Sequence, residues 1–242
     1  MNLGAKIAEG KTKVIYQDLG SADNAVLFFK DDITAGDGAK HDILAGKGKY
    51  DWETTKNCFE LLKRNGIPTH YISAPEDNYM VVRKMKMIPL ECVTRRIATG
   101  SILRRLPFKE GTIFNPLLFE LFLKDDVLHD PFINDDHAIA LKVANQKEID
   151  EIRNTTKRIF TVLEKAFAKQ GIALVDLKLE YGRDAAGKLM VADDITNNAW
   201  RIWPEGKKEL MLDKQLYREG KVGMEAVLEG FRIANEISRK FV

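Results

Sequence analysis

The order of hydrophobic patterns along the chain constrains its fold more than any other feature. The first third alternates short runs of β-forming residues with glycine and proline turns, whereas long helical patterns dominate only later. The predicted extended segments are 5–9, 13–17, 25–30, 69–73, 79–84 and 90–97. Strands that come first, followed by mixed strands and helices, predict an α+β fold rather than a regular alternation of strand and helix.

Apolar residues at helical spacing predict helices over 50–65, 147–170 and 224–241. The middle helix has the clearest apolar stripe, formed by Ile149, Ile152, Ile159, Phe160, Leu163 and Phe167. A hairpin is predicted from segments 174–181 and 189–195. We expect two lobes, a small antiparallel β-rich lobe over residues 1–90 and a larger α+β lobe over residues 91–242. A cleft between two lobes is a favoured place for a ligand.

Composition narrows the functional class. The 242 residues carry 38 Lys plus Arg and 36 Asp plus Glu, a net charge of +2, which argues against general nucleic-acid binding. Cys58 and Cys92 are not in a CxxC motif, so we expect two reduced thiols. No apolar run has the length of a signal peptide core or a membrane span. These features predict a cytoplasmic protein that binds neither nucleic acid nor membrane.

The turn Glu9-Gly10-Lys11-Thr12-Lys13 lies between the first two predicted strands. A glycine in a tight turn lets backbone N–H groups approach a phosphate, and the flanking lysines add positive charge. The spacing is not that of a Walker A loop. An exposed hairpin with two solvated lysines is the simpler interpretation of this turn taken by itself.

Charged residues alternate with apolar ones in segment 174–181, so Lys178 and Glu180 share one face with Asp176. Asp193 and Asp194 end the next predicted strand. If the residue numbers of each directly paired couple in the hairpin add up to an odd number, Lys178, Glu180 and Asp193 lie on the same face. Such carboxylates are hard oxygen ligands suited to Mg²⁺. A solvated sheet face is an equally reasonable interpretation.

Arginines mark two further segments. Arg95 precedes Gly100 and Ser101, and arginine, a glycine turn and a hydroxyl together suit an anionic ligand. Arg201 stands between two tryptophans that could orient its guanidinium or instead cap the core edge. Isolated basic runs are usually surface. The four histidines have no ligand spacing, which predicts no zinc site, and no Ser/His/Asp arrangement can be identified.

Seven segments occur in an order that resembles the SAICAR synthetase family. They are EGKTK, ITAGDGAK, IPLECVTRRIATGS, LFLKDDVLHDP, LVDLKLEYG, NNAWRIWP and DKQLYR, spread over about residues 4–220. The resemblance implies an α+β fold with a nucleotide in the cleft between its lobes. It also implies a carbon–nitrogen ligase that joins carboxyaminoimidazole ribonucleotide (CAIR) to L-aspartate and cleaves ATP to ADP and phosphate. Mg²⁺ as cofactor and a homo-oligomeric state are further implications.

The resemblance also implies roles for individual residues. Phosphates of ATP would meet Gly10, Lys11 and Lys13, and the segment from Lys84 to Met87 would face the adenine. Glu180 and Asp193 would hold Mg²⁺ with Lys178 beside them, and these three form the expected catalytic set. The expected contacts to the other substrates are Arg95, Ser101, Arg201, Asp37, Asp213, Lys214 and Arg218.

Phosphorylation of the nucleotide carboxylate would create an acyl phosphate that the aspartate amine attacks, although amine attack before phosphorylation stays open. A small-molecule kinase and a non-catalytic nucleotide-binding module are the alternative functions. A kinase would turn over ATP without aspartate, and a binding module would bind ATP without releasing ADP.

Overall fold

A computed structural model describes residues 1–36 and 39–242. The N-terminal part forms a five-stranded antiparallel sheet in the order β1-β2-β3-β7-β6. Its strands are β1 (Leu3–Glu9), β2 (Lys13–Asp18), β3 (Asn24–Phe29), β6 (Tyr71–Glu76) and β7 (Tyr79–Arg83). Strands β4 (Asp32–Ala35) and β5 (Lys40–Ile43) form a separate antiparallel pair. Helix α1 (Lys47–Arg64) follows, as its apolar spacing predicts.

The larger sheet has six strands and contains the longest strands of the chain. Its main path is β10-β9-β8-β11-β12, and β13 pairs with β11. The strands are β8 (Lys86–Ile97), β9 (Ile113–Leu123), β10 (Phe132–Ile133), β11 (Ile172–Arg183), β12 (Leu189–Ala192) and β13 (Trp200–Pro204). Strand β13 pairs with the first half of β11 and β12 with the second half. The loop 193–199 therefore leaves and rejoins the same side of β11, beside Lys178.

Helices complete both parts. They are α2 (Ser101–Arg105), α3 (Asp135–Ala140), α4 (Gln146–Ala168), α5 (Gln215–Glu219) and α6 (Met224–Arg239). All six residues of the predicted apolar stripe on α4 are fully buried in the main core. Asn145 caps this helix reciprocally with Glu148, an arrangement worth about 1 kcal/mol. Helix α6 packs against α1, where Asn57 donates to the Ser238 hydroxyl.

The predicted α+β class with two lobes is confirmed, since antiparallel sheets carry the helices without βαβ alternation. The chain passes from the first sheet to the second at Lys84–Met85, and the expected boundary at residue 90 stays a prediction. The two cysteines are free and buried. Within residues 1–36 and 39–242, no helix combines the length and apolarity needed to span a bilayer.

Candidate active site

Four charged side chains from three strands meet on one face of the larger sheet. Lys178 and Glu180 project from β11, Glu91 from β8, and Lys124 follows the end of β9. Lys124 Nζ lies 2.5 Å from Glu180 Oε2, and Lys178 Nζ lies 3.4 Å from Glu180 Oε1. Lys178 also donates to Glu91 Oε1. Glu180 is only 4% exposed, so this face is not the solvated sheet surface that the alternation also allowed.

The protonation of Lys178 follows from these neighbours. Burial alone would lower the pKa of its ammonium group, but Glu91 and Glu180 outweigh that effect and raise the pKa above its ordinary value. Lys178 therefore carries a fixed positive charge at neutral pH. A group with this charge can bind a carboxylate or phosphate, and it cannot accept a proton.

The register of the β11–β12 hairpin differs from the one that would align Glu180 and Asp193. Glu180 pairs directly with Ala192, and the two residue numbers add up to an even number. Ala192, rather than Asp193, therefore lies across from Glu180. Asp193 lies one residue beyond β12 and has a φ of 64°, a left-handed conformation that breaks strand alternation. Its side chain is therefore directed by the loop 193–199 and by its contacts.

Lys13 connects the glycine turn of the first sheet to this loop. Its Nζ lies 3.0 Å from Asp193 Oδ1 and 2.9 Å from Asp194 Oδ1. Burial alone would lower the pKa of Lys13, but the two aspartates outweigh it and raise the pKa. The turn between β1 and β2 is therefore not a hairpin with two solvated lysines, because the Lys13 side chain is only 11% exposed and is paired with two aspartates.

Lys11 and Gly10 lie at the tip of the same turn. The Gly10 N–H donates to the Lys13 carbonyl at 2.8 Å, which closes the turn. Lys11 Nζ lies 2.9 Å from Asp126 Oδ1 in the loop that follows β9. Both side chains of this pair are largely exposed, so the contact bridges the two sheets at the protein surface.

His70 holds the backbone of Asp193. Its Nε2 lies 3.1 Å from the Asp193 carbonyl oxygen, which can only accept, so the ring carries its proton on Nε2. Burial lowers the pKa of His70 to about 4, so the ring is neutral at physiological pH. The backbone N–H of His70 also donates to the Val191 carbonyl. The segment between α1 and β6 therefore fixes the start of the loop 193–199.

The segment from Lys84 to Met87 lies where the chain crosses between the sheets. Lys84 Nζ donates to the Ala22 carbonyl at 2.7 Å, so the Lys84 side chain is already engaged within the protein. Met87 is 42% exposed. A Cβ placed on Gly182 would lie 2.7 Å from the Met85 Cβ, so only glycine permits this close approach of β11.

A second charged cluster surrounds Arg95, which is 3% exposed. Its Nε lies 2.6 Å from Glu120 and its Nη1 lies 2.8 Å from Asp176. Its Nη2 donates to the Ser101 hydroxyl at 3.2 Å. Arg201 Nη1 lies 2.5 Å from the same Asp176 oxygen that Arg95 contacts. The basic segment is therefore interior, and the Arg95, Ser101 and Arg201 side chains of the sequence prediction do converge.

Gly100, rather than the tryptophans, makes room for Arg201. A Cβ on Gly100 would lie 2.7 Å from the Arg201 Nη2, and Gly100 has a φ of 67°. Trp200 and Trp203 are buried in the core, with Trp200 edge-on to Phe167 at 5.0 Å. A cavity of about 310 Å³ beside Arg201 is lined by Gly100, Arg104, Gln215 and others.

Asp213 and Lys214 immediately precede α5, and Arg218 lies within it. Both carboxylate oxygens of Asp213 accept backbone N–H groups, from Ile202 and Gln215. Burial raises the pKa of Asp213 to about 6. Lys214 is 9% exposed, and burial followed by the charges of Arg218 and Lys47 lowers its pKa to about 7. Asp37 lies outside the described residues.

Sequence reasoning did not identify several residues of the site. Strand pairing brings Glu91 and Lys124 to the site. Asp126 and His70 lie in loops that contact it. Alternation of side chains along β8 could have placed the Glu91 carboxylate on one face of that strand, and this is the one local signal for it. The positions of His70 and Asp126 depend on how the two sheets approach each other, and that has no local sequence signal.

The fold and the site define a class of protein. Two antiparallel sheets meet at a site where lysines and carboxylates are paired across both, with a glycine turn above and an arginine cluster beside it. This arrangement is that of an enzyme acting on phosphate-bearing ligands.

Comparison with known proteins makes the assignment specific. The profile of the SAICAR synthetase family matches residues 6–231. The chain is 49% identical to phosphoribosylaminoimidazole-succinocarboxamide synthase of Roseiflexus castenholzii, over 96% of this chain and 94% of that protein. It is 43% identical to the enzyme of that name from Sulfolobus acidocaldarius, over 97% and 98% of the two chains.

Solved structures agree with these relatives. A SAICAR synthetase in complex with ADP superimposes with a TM-score of 0.89 at 36% identity, covering 95% of this chain and 96% of that one. The Ehrlichia chaffeensis enzyme gives a TM-score of 0.91 at 32% identity, covering 97% and 98%. The chain belongs to the SAICAR synthetase family, and it is a ligase.

Proposed function

We propose that the protein joins the carboxylate of CAIR to the amine of L-aspartate, with ATP converted to ADP and phosphate, in purine biosynthesis. The observation that carries the proposal is the convergence of Lys13, Asp193, Lys178 and Glu180 from both sheets. Membership in the family supports the reaction, and the ADP complex of a relative supports ATP as co-substrate.

The ATP phosphates are proposed to lie under the turn that contains Gly10 and Lys11, next to Lys13. Lys13 has a fixed positive charge, and Lys11 is exposed at the mouth of the site. Phosphoryl transfer requires alignment and charge neutralisation more than covalent chemistry from the protein. These lysines supply both. The adenine would then meet the backbone between Lys84 and Met87, below the small sheet.

The residues present fit a magnesium ion. Among residues 1–36 and 39–242, no group of three His, Cys, Asp or Glu side chains is arranged as a metal site. Mg²⁺ commonly uses one or two carboxylates, with phosphate oxygens and water completing its shell. Glu180 and Asp193 would provide those carboxylates, and Mg²⁺ would neutralise the phosphate oxygens. Lys124 and Lys178 now supply the positive charge beside Glu180.

The phosphate of the imidazole nucleotide is proposed to bind near Ser101 and Arg201. Each nitrogen of the Arg95 guanidinium already donates to a protein acceptor, so Arg95 orients Ser101 and Asp176. Arg201 is anchored by Asp176 through a single nitrogen, Nη1, and lines the neighbouring cavity. Arg218 adds positive charge there, and Lys214, whose pKa is lowered to about 7, would become fully charged when the anion binds. Asp213 holds the backbone before α5 in place.

The chemistry follows from these positions. A carboxylate resists attack by an amine because its oxygen is a poor leaving group, and transfer of the ATP γ-phosphoryl group converts that oxygen into phosphate. The aspartate amine then attacks the carbonyl carbon and the carbon–nitrogen bond forms. Phosphate leaves with the electrons of the broken bond, and the proton lost by the amine passes to the departing phosphate or to solvent. Lys178, which stays protonated, is proposed to hold the nucleotide carboxylate by its charge. Binding all three substrates in one cleft makes the reaction effectively intramolecular.

Two further properties are proposed from the chain's own features. The buried, free Cys58 and Cys92 suit the reducing cytoplasm. Exposed apolar side chains lie along the outer edge of the larger sheet, with Ile113 at one end of β9 and Phe132 on β10 near the other end, and they suit a homo-oligomer interface. Light scattering of the purified protein would measure its mass, and a monomer at micromolar concentration would contradict the oligomer.

An ADP-release assay with CAIR and ATP, with and without L-aspartate, tests the reaction. We expect rapid ADP release and a product with a new amide mass only when all three substrates are present. Hydroxylamine in place of aspartate should yield a hydroxamate if the acyl phosphate forms. ADP release that does not depend on aspartate, together with a stable phosphorylated product, would instead establish a kinase.

A further inference from the structure

A buried ion pair lies beneath the candidate phosphate site. Lys47 and Asp51 occupy successive turns at the start of α1, and both are at most 2% exposed. Lys47 Nζ lies 2.5 Å from Asp51 Oδ2. Removing two charges from water costs more than their attraction recovers unless further hydrogen bonds are made. Such a pair in the protein interior therefore requires an explanation beyond stability.

Hydrogen bonds extend from this pair to the candidate site. The Asn198 amide Nδ2 lies 3.1 Å from Asp51 Oδ2 and 2.9 Å from Thr196 Oγ1. Thr196 Oγ1 lies 3.3 Å from Asp194 Oδ2. The other oxygen of Asp194 is 2.9 Å from Lys13 Nζ. A continuous polar network thus runs from the interior of α1, through the loop 193–199, to the lysine of the glycine turn.

The donors and acceptors of this network allow one arrangement of protons. The two amide protons of Asn198 go to Asp51 and to Thr196, and the single hydroxyl proton of Thr196 goes to Asp194. The Asn198 backbone N–H also donates to Thr196 Oγ1 at 3.1 Å. Every contact pairs one donor with one acceptor. Asp51 Oδ1 and Asn198 Oδ1 are buried without a hydrogen-bond partner, so the pairing is complete along the path to Asp194 but not at these two side atoms. The hydrogen bonds along the path restrict the groups that they join.

The network separates the tasks of two adjacent aspartates. Lys13 contacts both Asp193 and Asp194, and a metal ion would compete with it for one of them. Asp194 is held from below by Thr196, whereas no side chain of the loop 193–199 donates to the Asp193 carboxylate within the described chain. Asp194 can therefore retain Lys13 while Asp193 turns to the ligand.

We propose that Asp51, Thr196 and Asn198 are positioning residues that fix Asp194 against Lys13 and so leave Asp193 available to the Mg²⁺–nucleotide complex. This inference rests on the proposed function for the roles of Lys13 and Asp193. It adds that α1, through Asp51, sets how strongly the metal contributes to nucleotide binding.

Binding of ADP measured by calorimetry, with and without Mg²⁺, tests the proposal without requiring turnover. In the wild-type protein Mg²⁺ should tighten ADP binding. Thr196→Val, which keeps the shape but removes the donor, should reduce that tightening about tenfold, because a hydrogen bond to a charged group is lost. Thr196→Ser, which keeps the hydroxyl, should retain it. The KM for L-aspartate should change less than about twofold in both variants.

A carboxylate–amide exchange provides a second test. Asp51→Asn leaves Lys47 without its charge partner, and Asn198→Asp brings two carboxylates together, so each single variant should show the same loss. The double variant with both substitutions restores one carboxylate and one amide in contact. We expect it to recover more of the Mg²⁺-linked ADP affinity than either single variant but less than wild type, because the contact between positions 51 and 198 is remade whereas a carboxylate at position 198 cannot donate to Thr196 Oγ1.

Asn57→Ala is the matched control, since Asn57 is a buried polar residue of α1 that bonds to Ser238 on the other side. It should lower thermal stability and leave the Mg²⁺ effect on ADP binding unchanged. If Thr196→Val behaved like this control, the network would be structural only and the proposal would be overturned. Failure of the wild-type protein to release ADP with all three substrates would contradict the proposed function, whereas the binding result would not depend on it.

Discussion

The two charged clusters of this protein are built in opposite ways. The arginine cluster, formed by Arg95, Arg201, Glu120 and Asp176, lies on paired strands of one sheet and is mostly buried. The cleft cluster around Lys13 and Glu180 draws its members from both sheets and from loops. The first is therefore fixed by register, and the second depends on how the two lobes meet. Binding of the imidazole nucleotide should be preorganised, whereas the ATP side should respond to its ligand.

Arg95→Ala should have the largest effect, and it should act on stability. It removes one of the two arginine partners of buried Glu120 and of buried Asp176, which keep Arg105 and Arg201, and we expect a loss of about 3 kcal/mol of the free energy of unfolding. Urea denaturation measures this loss. Arg239→Ala removes an exposed pair with Glu53 and is the control, with little expected change. A loss below 1 kcal/mol for Arg95→Ala would mean that the arginine cluster is not a rigid unit.

Glu180→Ala should abolish turnover while folding survives. The variant loses a proposed metal ligand, and we expect kcat/KM to fall at least about a hundredfold, since even indirect supports of metal sites are worth 10–100-fold. Steady-state ADP release at several Mg²⁺ concentrations measures it, with circular dichroism as the folding check. Glu209→Ala, at an exposed position, is the control. Full activity at ordinary Mg²⁺ would remove Glu180 from the metal site.

Arg201→Ala should raise the KM for the imidazole nucleotide about tenfold or more, because a charge-assisted contact is worth about 1.5–3 kcal/mol. Asp176 keeps its contact with Arg95 in this variant, so stability should fall less than in Arg95→Ala. The KM for ATP should change little. An equal rise in both KM values would show that the two clusters are not independent.

Lys214 gives the smallest predicted effect, a change in proton uptake. Burial and the charges of Arg218 and Lys47 lower its pKa to about 7, so at pH 8 the free protein holds it mostly neutral. Binding of an anionic nucleotide favours the charged form, and at pH 8 the nucleotide phosphate, with a second pKa of about 6, is already ionised. Binding should therefore take up close to one proton.

Calorimetry in two buffers of different ionisation enthalpy measures this uptake, and affinity should weaken as pH rises from 7 to 9. Lys214→Met should show no uptake at pH 8. Lys214→Arg, which stays charged, should bind without uptake and with affinity that is flat over this pH range. Uptake that persists in Lys214→Met would assign the proton to another group.

The α+β class and the long helix α4 could be predicted from sequence because both follow from local periodicity. Lys178 and Glu180 could also be placed on a common face, since alternation within one strand is local. The register with β12 could not, and the observed pairing of Glu180 with Ala192 shows that Asp193 is positioned by His70 and Lys13 instead. Glu91 and Lys124 belong to strands far away in sequence, so only the assembled sheet brings them to Glu180.

The uninterrupted pairing of β11 with β8 from Asp176 to Glu180 has a consequence for the distance between the two ends of the substrate. Four residues of a strand span about 13 Å at 3.3 Å each, which sets the separation of the arginine anchor from the metal-side carboxylate. One inserted residue would turn Glu180 toward the opposite face, and two would lengthen the gap by about 7 Å. The spacing of residues along β11 thus selects for the length of the ligand, independently of the chemical groups that the ligand carries.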